Sequence, residues 1–351
     1  MDEITIRGYK SIRDQTVEIR PINVLIGGNG AGKSNFISFF EFLRALHAER
    51  LESSVNLAGG TRRLLYHGPA ATSELGATLR LEGGTTYSFK LTERDSVFHF
   101  EEEEFCYNEE CQHLAAFGKE SSLHRLGLSA KTHSLVEFLK YLRVYHFEDT
   151  GSNSPFTQLS HQANDAYYLY FDGSNLAAIL NRIRAFENLA YRRIVKVIRS
   201  VADYFEDFFF QPNEKHFLRL QWRDRYSDYV YGPEDLSDGT LRYIALTTLF
   251  LQPELPKLII IEEPELGLHP RAIAKLSGMI KQASRRGSKV IVATQSTALI
   301  SYFEPEDIIT VDNVDGASQF NRLRMQDLEQ WLEEYTLGDL WSRNIIVGGQ
   351  P

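Results

Sequence analysis

The feature that most constrains the fold of this chain is a glycine-rich turn at residues 27–34, which reads Gly-Gly-Asn-Gly-Ala-Gly-Lys-Ser. It follows the largely apolar run Ile22–Ile26 and precedes a stretch from Asn35 to about Leu46 with the spacing of a helix. Glycines let backbone N–H groups turn toward an anion where a Cβ would block them, and a helix N-terminus adds a positive dipole. A strand, a loop and a helix in this order predict a phosphate-binding loop.

Each position of the loop has an expected role. Lys33 places a point charge for the β- and γ-phosphates, and Ser34 offers a hydroxyl to Mg²⁺. The expected nucleotide-binding residues are Gly27, Asn29, Gly30, Ala31, Gly32, Lys33, Ser34 and Asn35. The alternative is a glycine-rich turn in which Lys-Ser occurs by accident.

Length and composition limit the class of protein. A chain of 351 residues exceeds one typical domain, and 43% hydrophobic residues can form a substantial core. No apolar stretch approaches the ~20 residues of a membrane span, and Met-Asp-Glu does not begin a signal peptide. We therefore expect a soluble, cytoplasmic protein without membrane contact. A net charge of −9 argues against nucleic-acid binding over the whole surface, although a local basic patch remains possible.

Residues 101–111 carry a run of glutamates and both cysteines. The offset between Cys106 and Cys111, without a second pair or a clear set of His partners, argues against zinc and predicts two free thiols. Four consecutive glutamates, Glu101–Glu104, cannot converge on one ion, so they predict a solvated edge.

Periodicity divides the chain into segments. Two short antiparallel strands flank residues 8–11, and further strands near 77–81, 86–91 and 97–100 form a β lobe. Residues 175–204 have the spacing of one long amphipathic helix or a broken pair, and apolar strands alternate with helices after 233. We predict an α/β fold with a mixed β-sheet, an N-terminal β lobe and an inserted helical subdomain. The predicted segments are 1–50, 51–150, 151–232 and 233–351.

The predicted helical segment carries a concentration of positive charge that is unusual in this acidic chain. Such a row is most often a solvated helix face, and the other interpretation is contact with DNA, RNA or a protein partner. The residues are Arg182, Arg184, Arg192, Arg193, Lys196 and Arg199.

A second strand ends in paired acids. The apolar run Leu258–Ile261 leads into Glu262 and Glu263, and neighbouring residues of a strand point to opposite faces. This arrangement suits two roles, with Glu262 supporting the metal and Glu263 acting as general base on a water. The alternative is an acidic surface turn.

A third element precedes the helix that begins near Leu241. Ser237 offers a hydroxyl, and Gly239 offers a backbone N–H at a helix N-terminus, which together form a second anion-binding end. Taken alone, Ser237 is equally a good N-cap.

Together these motifs resemble the ABC-type ATPase heads of the RecF, SMC and OLD group, and more narrowly the stand-alone ATPases of the AAA_21 class. The general resemblance rests on residues 27–34, 236–240, 261–265, 268–270 and 294–296. The narrower one rests on 145–150, 236–242 and 331–341, and coverage is weakest at 50–140.

The resemblance implies that the nucleotide is ATP and that Mg²⁺ is the metal cofactor. It also implies a homodimer that sandwiches two ATP molecules. Ser237 of one subunit would contact the γ-phosphate held by Lys33 of the other, and residues 268–270 would correspond to the D-loop that links the two sites. Glu262 stands where many relatives have Asp, and Gln295 stands where transporters have His. Glutamine can orient water but carries no titrating proton, so slower or differently gated hydrolysis is expected.

Three functions remain open at the level of sequence. The first is an ATPase whose dimerisation controls a separately encoded effector, such as a nuclease, in anti-phage defence or DNA repair. The chain lacks heptads for coiled-coil arms, and the short stretch after Gln295 lacks a second acid-rich catalytic unit. The second is an assembly platform locked by ATP without turnover, and the third is a RecF-like repair ATPase that binds DNA through the basic helix.

Overall fold

The computed structural model describes residues 1–108, 110–114, 118–127, 129–151 and 153–346. The chain forms two compact units. Unit 1 consists of residues 1–144 with 303–351, and unit 2 consists of residues 145–302. Among the described helices, none combines the length and the apolar character that crossing a membrane requires. The finer division into four segments stays a prediction.

Seventeen strands occur in the described ranges. They are β1 (Glu3–Tyr9), β2 (Ile12–Glu18), β3 (Ile22–Ile26), β4 (Glu74–Leu81), β5 (Thr85–Arg94), β6 (Val97–Tyr107), β7 (Glu110–His113), β8 (Val144–Tyr145), β9 (Ser160–His161), β10 (Phe205–Phe208), β11 (Phe217–Leu218), β12 (Trp222–Asp224), β13 (Val230–Tyr231), β14 (Leu258–Glu262), β15 (Lys289–Thr294), β16 (Ile308–Val314) and β17 (Ala317–Arg322).

Eleven α-helices are described. They are α1 (Lys33–His47), α2 (Leu51–Leu57), α3 (Thr61–Leu64), α4 (His133–Tyr141), α5 (Leu176–Phe186), α6 (Asn188–Arg199), α7 (Asp238–Leu251), α8 (Pro270–Arg285), α9 (Thr297–Ile300), α10 (Met325–Leu332) and α11 (Leu337–Ser342).

Unit 1 contains the predicted β lobe as an antiparallel sheet in the order β2-β1-β4-β5-β6-β7. The turn between β4 and β5 uses Gly83 and Gly84, which both have positive φ, as a tight hairpin requires. Aromatic residues of α1 pack on this sheet: the ring centroids of Phe39 and Tyr9 are 4.9 Å apart, and those of Phe42 and Phe89 are 6.3 Å apart. The first helix is thereby fixed against the β lobe by apolar burial.

A second group of strands in unit 1 leads into the glycine-rich loop. Strand β3 pairs parallel with β16, and β16 pairs antiparallel with β17. Every residue of β3 is buried, as expected for a strand covered on both faces. The predicted mixed sheet is confirmed by this combination of pairings.

Unit 2 contains the parallel pair β14 and β15, with Leu258 opposite Lys289 and Glu262 opposite Ala293. Helix α7 is buried at every position from Leu241 to Leu251, and it packs against α6 and α8. The amphipathic stretch in this unit is a broken pair, α5 and α6, because Glu187 leaves the helical region at φ −133° and ψ 53°.

One expectation about residues 101–111 is wrong, and a second is wrong at one residue. Cys106 and Cys111 form a disulfide instead of two free thiols, because β6 and β7 pair in a register that places them directly opposite each other. The glutamate run pairs with β5, and Glu102 is exposed as expected, but Glu103 points to the other face and is buried. Glu103 is 2% exposed and accepts hydrogen bonds from the Tyr87 hydroxyl at 2.7 Å and the Ser122 amide at 2.8 Å.

Candidate functional site

The loop between β3 and α1 has the geometry of an anion cradle. Helix α1 begins at Lys33, so the first N–H groups of the helix point out of its N-terminal end. The Lys33 ammonium lies against the loop, donating to the carbonyl oxygens of Gly27 at 2.6 Å and Gly28 at 3.1 Å. Ser34 and Asn29 are exposed, whereas Ala31 and Lys33 are buried. The predicted binding residues therefore lie along one continuous turn.

Glycine is required at two positions of this loop by close contacts. A Cβ on Gly27 would lie 2.2 Å from the carbonyl oxygen of Val311. A Cβ on Gly32 would lie 2.0 Å from the Ser318 hydroxyl oxygen, and Gly32 has φ of 118°, a conformation that L-residues rarely adopt. The loop thus follows a path that only an unsubstituted backbone can take.

A hydroxyl network that the sequence analysis missed supports the loop from outside. Ser318, at the start of β17, donates to the Ala31 carbonyl at 2.6 Å and contacts the Ser11 hydroxyl at 2.7 Å. Asn35 donates to the same Ser11 hydroxyl at 2.7 Å. These contacts hold the tip and the helical end of the loop together. No local sequence pattern marks Ser318, which is 287 residues away from Ala31.

In unit 2, the paired acids lie at the carboxyl end of β14. Glu262 is the last residue of the strand, and Glu263 follows with φ of 40° while its amide donates to the Ala293 carbonyl at 2.8 Å. A non-glycine residue in this left-handed region costs about 1–3 kcal/mol, and such strain is concentrated at functional sites. The Gln295 side-chain amide donates to Glu263 Oε1 at 3.3 Å. The structure therefore brings together two of the predicted catalytic side chains, at the ends of two adjacent parallel strands.

A third acid of this segment, Glu265, has no role in the sequence analysis. It is 9% exposed, and one carboxyl oxygen accepts a hydrogen bond from the Thr294 hydroxyl. The other oxygen is buried without a hydrogen-bond partner among the described residues. Burial raises the pKa of this carboxyl above its ordinary value. Through its hydrogen bond with Thr294, Glu265 thus links the turn after β14 to the residue that precedes Gln295.

Residues 236–240, which were predicted to bind an anion, form the capped N-terminus of helix α7. Ser237 is the N-cap of α7, and its hydroxyl oxygen accepts from the Thr240 amide at 3.2 Å. A Cβ on Gly239 would lie 2.2 Å from the carbonyl oxygen of Gly267. The N-cap interpretation is therefore observed, and phosphate contact by Ser237 and Gly239 stays a prediction.

Arg242 connects the segments of unit 2 on which the narrower resemblance rests. The residue is 7% exposed, and its guanidinium donates to the carbonyls of Phe147 at 2.9 Å, Glu148 at 3.1 Å and Leu266. Arginine suits this position because its planar fork serves several acceptors at once. The stretches 145–150 and 236–242 thus meet at one side chain.

The basic row on α5 and α6 is only partly available to a ligand. Arg182 donates to the Ala166 carbonyl at 3.3 Å, Arg184 lies over the Phe210 ring, and Arg199 pairs with Glu206 at 2.9 Å. The remaining three cations of the row are exposed on α6, which contains no acidic residue. They are Arg192, Arg193 and Lys196.

Solved structures share the fold. The SMC head bound to the C-terminal winged-helix domain of ScpA aligns with a TM-score of 0.62 and 14% identity, covering 94% of this chain and 99% of that chain. The SMC head with an extended coiled coil, bound to the C-terminal domain of ScpA from Pyrococcus furiosus, aligns with a TM-score of 0.57 and 15% identity, covering 95% and 98%. These similarities establish the P-loop ATPase head fold.

Sequence comparison finds a short relative and a family. Urease accessory protein 2 of Cryptococcus neoformans var. grubii is 37% identical over 82 residues, which cover 22% of this chain and only 6% of that protein's length. The family described as "AAA domain, putative AbiEii toxin, Type IV TA system" matches residues 22–301, which include the glycine-rich loop, the acidic strand and Gln295. This chain belongs to that family, AAA_21, and it shares the fold of the SMC heads.

Proposed function

We propose that the chain binds Mg-ATP and hydrolyses it to ADP and phosphate. The observation that carries the proposal is the contact between Gln295 and Glu263 at the carboxyl ends of β15 and β14. Ligands of open α/β sheets bind at the carboxyl ends of the strands. The loop at residues 27–34 supports phosphate binding, since its glycines and the Lys33 ammonium provide closely spaced donors.

In the proposed reaction, the Glu263 carboxylate accepts a proton from water while the water oxygen attacks the γ-phosphorus. The bond to the β–γ bridging oxygen breaks, and ADP leaves with that oxygen. The Gln295 amide orients the water, and Lys33 offsets the charge on the phosphates. Ser34 and Glu262 have the oxygen donors that Mg²⁺ prefers, and the ion would neutralise charge on the transferred group.

Removing the base tests hydrolysis separately from binding. Glu263→Gln should lower phosphate release by about 100-fold or more, because general-base catalysis contributes about 10²–10⁴-fold, while ATP binding is retained. Lys33→Ala should abolish ATP binding itself. Glu254→Gln, at an exposed acid of unit 2, is the matched control and should have wild-type activity. If the wild type releases phosphate no faster than Glu263→Gln, the enzyme proposal fails, and an ATP-locked platform replaces it.

We further propose that ATP drives dimerisation and that the dimer acts through a separate protein. The SMC heads to which the chain is similar are described as bound to domains of ScpA, which supports a protein partner. The AAA_21 family is described by a putative AbiEii toxin of a type IV TA system, and by analogy we place the chain in anti-phage defence, with a nuclease as the separate effector. DNA repair is the alternative setting.

Mass photometry tests the dimer. Adding ATP to Glu263→Gln, which should bind ATP without hydrolysing it, should double the particle mass. Ser237→Arg should prevent the doubling while ATP binding to the monomer persists. A monomer under all of these conditions would contradict ATP-driven dimerisation.

A second candidate function, nucleic-acid binding, is favoured by the three exposed cations of α6. Arg192, Arg193 and Lys196 offer phosphate contacts without competing acids on their own helix. Reversing the three charges should abolish binding to a DNA duplex and reduce its salt dependence. Arg184→Glu is the control for a change of charge away from the proposed surface, because the Arg184 guanidinium already lies over the Phe210 ring. Unchanged binding by the triple variant would exclude this surface.

A further inference from the structure

The β6–β7 hairpin places four metal-binding side chains on one face. In its antiparallel register, Glu104 lies opposite His113, and Cys106 lies opposite Cys111. Side chains two residues apart on a strand point to the same face, so the two pairs lie side by side. The His partner that the cysteine spacing alone did not reveal is therefore supplied across the hairpin by His113.

The ligand atoms of this group are already close together. A carboxylate oxygen of Glu104 and the sulfurs of Cys106 and Cys111 all lie within 4.8 Å of one another. His113 Nδ1 lies 3.3 Å from Glu104 Oε1. A tetrahedral Zn²⁺ site has bonds of about 2.0–2.3 Å, which separates its ligand atoms by roughly 3–4 Å. Three of the ligand atoms therefore lie near the separations of a Zn²⁺ site, and His113 is adjacent to the carboxylate among them.

The disulfide must open before its sulfurs can act as ligands. Cys111 is exposed and Cys106 is half-buried, so a dithiol reductant can attack the bond at Cys111. The S–S bond gains two electrons and two protons and becomes two thiols, while the reductant becomes a disulfide. A divalent ion then displaces both thiol protons, because thiolates are the metal-binding form.

We propose that the reduced β6–β7 hairpin binds one Zn²⁺ through Cys106, Cys111, His113 and Glu104. Two thiolates and an imidazole are ligands typical of Zn²⁺, and the carboxylate completes a tetrahedral set. The hairpin then has two alternative cross-links, a disulfide under oxidising conditions and a metal ion under reducing ones. This site is independent of the proposed ATPase activity, which uses other residues.

The experiment measures metal binding by the full chain after reduction and removal of the reductant. Co²⁺ is the spectroscopic probe, since thiolate ligation gives intense near-ultraviolet charge-transfer absorption and a tetrahedral site gives visible bands. Zn²⁺ should displace Co²⁺ at one ion per chain, with its affinity measured against a chromophoric chelator. The oxidised chain should bind at least 10-fold more weakly.

Two variants and one control identify the ligands. Cys111→Ser and His113→Ala should each weaken Zn²⁺ binding by about 10- to 100-fold or more, in line with the loss of groups that hold a metal. His113 is 86% exposed, so its truncation leaves the packing intact. His124→Ala is the matched control. His124 belongs to the same unit, and its Nδ1 also lies close to a glutamate oxygen, 3.2 Å from Glu49 Oε1.

Two results would overturn the proposal. The first is absence of stoichiometric binding by the reduced wild type. The second is equal Zn²⁺ affinity in the wild type and in either ligand variant.

Discussion

The most direct test of the loop geometry compares the stability of Gly32→Ala with that of Gly30→Ala. Both glycines belong to the phosphate-binding loop and both have positive φ, 118° and 77°. They differ in surroundings: a Cβ at Gly32 would lie 2.0 Å from Ser318 Oγ, whereas no described atom lies within 4 Å of a Cβ at Gly30. The pair therefore separates backbone strain from steric overlap.

The expected magnitudes follow from these two contributions. An alanine at a positive φ costs about 1–2 kcal/mol, which is the whole cost expected at Gly30. At Gly32, overpacking against Ser318 adds about 1–3 kcal/mol, because Ser318 is held by its own hydrogen bonds and cannot move away freely. We expect Gly32→Ala to lower the free energy of unfolding by about 2–5 kcal/mol in all.

The assay is urea denaturation of the full-length variants, combined with titration of a fluorescent ATP analogue. Gly32→Ala should unfold at lower urea and bind the analogue more weakly than Gly30→Ala. Adding Ser318→Gly to Gly32→Ala should recover part of the steric loss. The reasoning is refuted if the two alanine variants have the same stability, since the contact at Gly32 would then carry no cost.

Three further substitutions test single contacts. Glu265→Gln removes a carboxyl whose pKa is raised by burial. Wild-type stability should therefore decline relative to this variant as pH rises above about 4.3, the ordinary pKa of Glu, and a constant difference from pH 4 to 7 in thermal denaturation would contradict this. Ser318→Ala leaves the Ala31 carbonyl without its donor and should cost about 1–3 kcal/mol in urea denaturation, whereas the exposed Ser53→Ala should cost nothing measurable. Arg242→Lys should cost about 2–4 kcal/mol, because the three carbonyls accept from three different guanidinium nitrogens, whose spacing the single nitrogen of lysine cannot reproduce; wild-type stability would refute this.

Some elements were predictable because their signals are local. The turn at 27–34 contains its own glycines, lysine and serine, and α1 begins at Lys33, two residues before the predicted start at Asn35. Strands β14 and β15 were recognisable as short apolar runs, and their parallel pairing follows from the intervening helix α8. Even the break between α5 and α6 was one of two interpretations that the spacing allowed.

Other features depended on contacts between distant segments. The disulfide exists because the register of β6 and β7 sets Cys106 opposite Cys111, and register is not encoded by residue spacing alone. Glu103 was expected in solvent, but the fold surrounds it with Tyr87 and Ser122. A local pattern cannot indicate which donors will reach a buried carboxylate.

By itself, the sequence determined that this chain contains a phosphate-binding loop, an acidic strand end and a capped helix, because each is formed by consecutive residues. Only the tertiary structure decided which side chains support these elements. Ser318 donates to the loop, Gln295 donates to Glu263, and Arg242 donates to three carbonyls. These partners are far apart along the chain, and hydrogen bonds of that kind form only after strand pairing and helix packing have fixed their positions.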